Sequence, residues 1–138
     1  MGMTYTVEHA ERFVRATADG PVTLEDIRAH IESERLAGAL AYRELIDARG
    51  ASPAFSSEDI RVVVAILRRL GGESLLGPTA VIVDSQVGFG ILRIFEALLD
   101  DVCAVKPFYR MDSAEEWLSG FREGNDQTDG PSGSEPGT

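Results

Sequence analysis

The sequence predicts an α/β fold: a mixed, mostly parallel sheet of four to five strands with helices packed on it, in the order β-β-α-β-α-β-α-β-α. Three observations carry the prediction. Strand-like and helix-like segments alternate along the chain, which implies parallel pairing through right-handed crossovers. The run Thr79-Ala80-Val81-Ile82-Val83 is almost continuously apolar, as a strand is when both faces of its sheet are covered. Thr23 and Ser56 are each followed three residues on by an aspartate, Asp26 and Asp59, the spacing of a capping box at a helix start.

In chain order, residues 4–9 alternate polar and apolar through Tyr5 and Val7, and 12–17 follow with Phe13, Val14 and Ala16, which reads as a hairpin. Asp19-Gly20-Pro21 reads as a turn. Thr23 opens a helix with Leu24, Ile27 and Ile31 on one face and an Arg28–Glu32 pair on the other, closing over 36–40 around Gly38. Leu45-Ile46-Asp47-Ala48 is a short buried strand ending at Arg49-Gly50. Ser56-Ser57-Glu58-Asp59 opens the next helix, with acids at the positive end of its dipole. Ile60, Val63, Val64, Leu67 and Leu70 mark its inner face, Val62 and Ile66 widen it, and Gly71-Gly72 ends it.

After the 79–83 strand, Asp84-Ser85 caps a helix with Phe89, Leu92, Phe95 and Leu98 inward, which stops before Asp100-Asp101. Residues 102–108 form the last strand, where Pro107 suits an edge. A short helix capped by Asp112 or Ser113, with Glu115 or Glu116 completing the box, is anchored by Ala114, Trp117, Leu118 and Phe121. One domain over 1–123 is expected. The acidic tail 124–138 has no aliphatic or aromatic residue, so it cannot offset its ordering entropy and reads as disordered.

Composition narrows the function classes. No run approaches the roughly 18 apolar residues of a membrane span. Cys103 is alone, so there is no disulfide framework, and a single cysteine without a signal peptide suits the cytoplasm. The net charge is -10 and the 12 Arg and one Lys are scattered, which disfavours nucleic acid as a partner. Met1-Gly2-Met3-Thr4-Tyr5-Thr6 matches a short myristoylation pattern, and Met3 is an equally good start.

The motifs that could carry chemistry are sparse. Gly88-Phe89-Gly90 lacks the third glycine of a dinucleotide fingerprint and reads as a close helix–sheet approach. His9 and His30 stand apart with no paired-histidine spacing, so no metal site and no cofactor are expected. Cys103 reads as a small core residue. No nucleophile–base pair is visible around Ser85, and a small enzyme is the least favoured reading. Asp47 and Asp84 end successive strands, with Asp59 at a helix start. They line a crevice or serve in caps and turns. Ser56-Ser57 stands where a phosphate would meet free N–H groups, or is an ordinary cap.

Several stretches together resemble the STAS domain family, and most of all its uncharacterised SpoIIAA-like bacterial branch. They are Arg43-Glu44-Leu45-Ile46-Asp47-Ala48-Arg49-Gly50, Ser56-Ser57-Glu58-Asp59-Ile60-Arg61, Leu70-Gly71-Gly72-Glu73, the helix from Gly88 to Glu96, and Ala114-Glu115-Glu116-Trp117-Leu118. The resemblance covers roughly residues 3–121 and implies a non-enzymatic regulatory module that binds a protein partner. Ser57, with Ser56 beside it, falls where the family is phosphorylated, and Glu58 and Asp59 share that surface. Phosphorylated members carry Gly-Leu after the serine, and this chain has Glu58-Asp59. The related CRAL-TRIO-type domains imply an alternative, an apolar cavity holding a lipid-like ligand. Phe55, Phe89, Leu92 and Phe95 would be its walls, with Asp47, Asp84 and Ser85 at the crevice. The broad face of the 57–70 helix also allows a homodimer if Val62 and Ile66 are exposed.

Overall fold

The computed structural model describes residues 2–127. The elements are β1 (Gly2–Glu8), β2 (Phe13–Val22), α1 (Leu24–Leu36), β3 (Arg43–Pro53), α2 (Ser57–Gly71), β4 (Thr79–Ile82), α3 (Gln86–Leu98), β5 (Val105–Phe108) and α4 (Met111–Gln127). The strands form one sheet in sequential order, with β1–β2 antiparallel and β2–β3, β3–β4 and β4–β5 parallel. This is the expected α/β class and element order. Pro107 lies in an edge strand, where its missing N–H costs no ladder bond.

The helix starts form as the side-chain spacing requires. The Thr23 hydroxyl accepts from the Asp26 N–H and the Asp26 carboxylate accepts from the Thr23 N–H. Ser56 and Asp59 close α2 in the same reciprocal way. Ser85 caps α3 by accepting from the Gly88 N–H.

Side chains alternate across each strand, so β3 serves two cores. Leu45 faces α4 and joins a compact cluster with Phe13, Ala80, Ile82, Ala114 and Leu118, flanked by Phe108, Met111 and Trp117. Ile46 faces the opposite side, where α1, α2 and α3 lie. There Ile60, Val63, Val64, Phe95 and Leu99 are buried. Ten further apolar residues, among them Ile27, Ile31, Phe55 and Leu92, are only partly covered.

Several local expectations are corrected. Asp19-Gly20-Pro21 is not a turn: β2 runs through it to Val22 because the far end of β3 offers a ladder, with Asp19 opposite Gly50 and Pro21 opposite Ser52. A register shift between Thr17 and Asp19 absorbs the irregularity, and Gly20 takes a left-handed backbone at φ +67°. β3 accordingly reaches Pro53 instead of ending near Ala48. Val102 and Cys103 belong to the turn after α3, where their N–H groups bond to the Leu99 carbonyl, so β5 starts only at Val105. Leu98 points outward, 42% exposed. Glu32 pairs with Arg35 rather than Arg28. α4 begins at Met111, so Asp112 and Ser113 sit inside its first turn. Asp112 grips Arg110, and Glu115 faces Arg15 instead of completing a cap. The helix continues past residue 124 to Gln127, and residues 128–138 of the expected tail lie outside the described residues.

Gly77 is fixed by close approach. A Cβ there would lie 2.1 Å from the Tyr42 carbonyl oxygen, so only glycine lets this loop dock on the segment before β3. The Gly77 N–H donates to the Leu40 carbonyl at 2.8 Å.

A cavity with a buried His–Glu–Glu cluster

Between the sheet and α1–α3 lies a cavity of about 240 Å³. It exists because the sheet contributes small side chains there. Ala18, Ala48 and Ala51 line its floor, while Ile27, Ile31, Leu67 and Leu92 reach in from the helices. Ile46 sits mid-way along the central strand yet is only half-buried, because the space in front of it is not filled. Close-packed interiors rarely leave room larger than a water molecule, so a space of this size stands out from ordinary core packing.

The wall is almost wholly apolar, with one exception at the α1 side. His30 and Glu34 occur one helical turn apart on α1 and therefore share a face. Glu44 projects from β3 toward the same point. His30 Nε2 and Glu44 Oε2 share a hydrogen bond at 2.5 Å, and Nε2 lies 3.4 Å from Glu34 Oε2. All three are buried, at 7%, 8% and 6% exposure for His30, Glu34 and Glu44. The Tyr5 ring packs edge-to-face on the imidazole with centroids 5.3 Å apart. His30 Nδ1 is buried with no hydrogen-bond partner among the described residues.

This environment moves protons onto the cluster. Burial alone would lower the His30 pKa, but hydrogen bonds and charge from Glu34 and Glu44 outweigh it and raise it from 6.5 to about 10. Burial raises Glu44 from 4.5, the His30 hydrogen bond pulls it back, and Glu34 pushes it up again, to about 8.

The residues singled out from the sequence divide around this cavity. Phe55, Leu92 and Phe95 line it, while Asp47, Asp84, Ser85 and Phe89 do not. Phe89 stacks on Tyr109 at 4.5 Å instead. Asp47 binds Arg49 through both carboxylate oxygens, which holds its pKa below the usual range. Asp84 is exposed, and Ser85 is used as a cap. Ser56 and Asp59 are consumed by the capping box, Glu58 faces Arg61 at 3.8 Å, and Ser57 is exposed. Val62 and Ile66 are half-buried. Cys103 lines the cavity, half-buried, with burial raising its thiol pKa.

The cluster itself was not anticipated. In the sequence, His30 has no paired histidine, and a metal site there needs an assembly of acids scattered along the chain. The i, i+4 spacing to Glu34 and a glutamate opening the buried run Leu45-Ile46 were the available signals.

One antiparallel edge pair, three parallel pairs, α1–α3 on one face and α4 on the other define an STAS/SpoIIAA-like α/β fold. Two solved structures share it. An uncharacterised protein of the DUF3478 family with a SpoIIAA-like fold, from Shewanella loihica PV-4, aligns at TM-score 0.58 and 19% identity over 85% of this chain and 93% of its own. The anti-sigma factor antagonist SpoIIAA in its unphosphorylated form aligns at TM-score 0.51 and 17% identity over 86% of this chain and 98% of its own. No known family profile and no curated protein matches the chain. No described helix is long and apolar enough to cross a membrane.

Proposed function

We propose that this chain is a non-enzymatic binding module that holds a small, largely apolar molecule between the sheet and α1–α3. The observation that carries the reading is the 240 Å³ cavity, walled by half-covered apolar side chains on one face of a sheet whose other face is close-packed. An engineered apolar cavity of about 150 Å³ takes up benzene, so this one has room for a ligand on the order of ten heavy atoms.

The test is native mass spectrometry with organic extraction of the purified protein, followed by reloading with the extracted compound. Ala48→Leu adds a larger side chain on the cavity floor. It is expected to abolish the bound mass while leaving the melting temperature unchanged or higher. Ligand retained at full stoichiometry in Ala48→Leu, or no ligand in the parent protein, overturns the reading.

A second reading, binding of a protein partner at the start of α2, is favoured by Ser57. It is exposed at the first helical position, and the adjacent capping box uses Ser56 and leaves the Ser57 hydroxyl out. The fold likeness to an anti-sigma factor antagonist supports this mode. If Ser57→Asp and Ser57→Ala both leave every co-purifying partner in place, that surface is not the one used.

A further inference from the structure

We infer that His30, Glu34 and Glu44 form a binding site for one divalent first-row transition-metal ion at the wall of the cavity. The inference concerns this cluster alone and stands whether or not the cavity holds an organic molecule.

The donor atoms already converge. The imidazole nitrogen and one oxygen from each carboxylate lie within 4.8 Å of one another. Around an ion with bonds of about 2.1 Å, neighbouring donors stand roughly 3.0–3.4 Å apart. The 3.4 Å between His30 Nε2 and Glu34 Oε2 fits that spacing as it stands. Glu44, at 2.5 Å, has only to withdraw by less than about 1 Å, and the cavity gives its side chain room.

Charge favours an ion. Two buried carboxylates face a single imidazole, and no lysine or arginine is on the cavity wall among the described residues. A buried cluster of this composition balances its charge either with protons or with a bound cation. A dication with both carboxylates ionised and a neutral imidazole brings the group to zero. The orientation of His30 agrees, since Nε2 is the nitrogen turned to both carboxylates. The Tyr5 ring packed against the imidazole restricts its rotation.

The donor set selects the class of metal. One imidazole and two carboxylates suit Zn²⁺, Mn²⁺, Fe²⁺ or Co²⁺, whereas Ca²⁺ and Mg²⁺ prefer all-oxygen shells. Three protein ligands leave the ion unsaturated, and the cavity lies on its open side.

The experiment uses the full chain, stripped with EDTA and dialysed. Zn²⁺ is titrated calorimetrically while the ring nitrogens of the only two histidines, His9 and His30, are followed by NMR. One equivalent is expected to bind and to shift the His30 ring but not the His9 ring. Glu34→Gln and Glu44→Gln should each weaken binding at least about 10-fold, the lower end of what even an outer-shell loss costs. His9→Ala should leave it unchanged. Circular dichroism checks that each variant folds. If a variant does not, the Co²⁺ visible spectrum of the parent protein, which separates four- or five-coordinate from six-coordinate hydrated ion, decides. No binding, an unshifted His30 ring, Co²⁺ that stays six-coordinate, or undiminished affinity in folded Glu34→Gln and Glu44→Gln overturns the site.

Discussion

The two faces of the sheet should respond differently to the same truncation. Leu118 is 1% exposed and packed among Phe13, Leu45, Ala80, Ile82 and Ala114, where nothing nearby is free to collapse into its place. Leu118→Ala should therefore cost about 3–5 kcal/mol, the upper part of the range for leucine truncation in a closed core. Leu92 is half-buried and already borders the 240 Å³ space. Less of its area is withdrawn from water and its removal only enlarges an existing void, so Leu92→Ala should cost about 1–2 kcal/mol. At roughly 3–5 °C per kcal/mol for a chain of this length, the melting temperatures should fall by about 9–25 °C and 3–10 °C. Urea titration gives the free energies, and an unchanged m-value shows that the unfolded state is not the source of the difference. Equal losses in the two variants would mean that α2 and α3 close on the sheet in solution as tightly as α4 does, and the cavity reading would fail.

Two further substitutions probe how the site is held. Ser56→Ala removes the acceptor for the Asp59 N–H and should lower stability by about 1 kcal/mol in denaturant unfolding, whereas Ser57→Asp, exposed in the first turn, should leave it within about 0.5 kcal/mol. Equal losses would show that Ser57 also serves the cap. Gly77→Ala places a methyl group 2.1 Å from the Tyr42 carbonyl and should cost about 3 kcal/mol by thermal melt, at the top of the overpacking range. A loss under about 1 kcal/mol would show that this loop is free to move off.

Much of the fold was legible because its signals are local. The capping boxes at Thr23 and Ser56 depend on residues three apart, and the apolar run into β4 depends only on burial of both faces. The errors fall where a distant partner decided. Asp19-Gly20-Pro21 has turn chemistry, but the extension of β3 beside it supplies hydrogen bonds that a turn would forgo. Leu98 continues the apolar spacing of α3, yet the helix ends there and leaves it exposed. Arg28 and Arg35 are both spaced on the helix to meet Glu32, and the pair that forms is Glu32–Arg35.

The cavity and its cluster were harder to read because each is a property of two elements at once. Ala18 comes from β2 and Ala48 and Ala51 from β3, and each is an ordinary strand alanine; a floor of small side chains appears only when register sets them beneath the same helices. Glu44 carried the stronger clue. On a strand paired on both sides, a side chain on a helix-covered face has little route to water, so a carboxylate there requires a partner from the covering layer. α1 lies over that face, and its polar residues at one helical spacing are His30 and Glu34. Once the strand order is known, the pairing follows from burial cost alone. The stabler solution by area would be a leucine at position 44, because replacing a buried ion cluster with apolar side chains is often neutral or favourable. Three buried titratable groups beside an unfilled cavity forgo that stability, a cost that the proposed site accounts for and core packing does not.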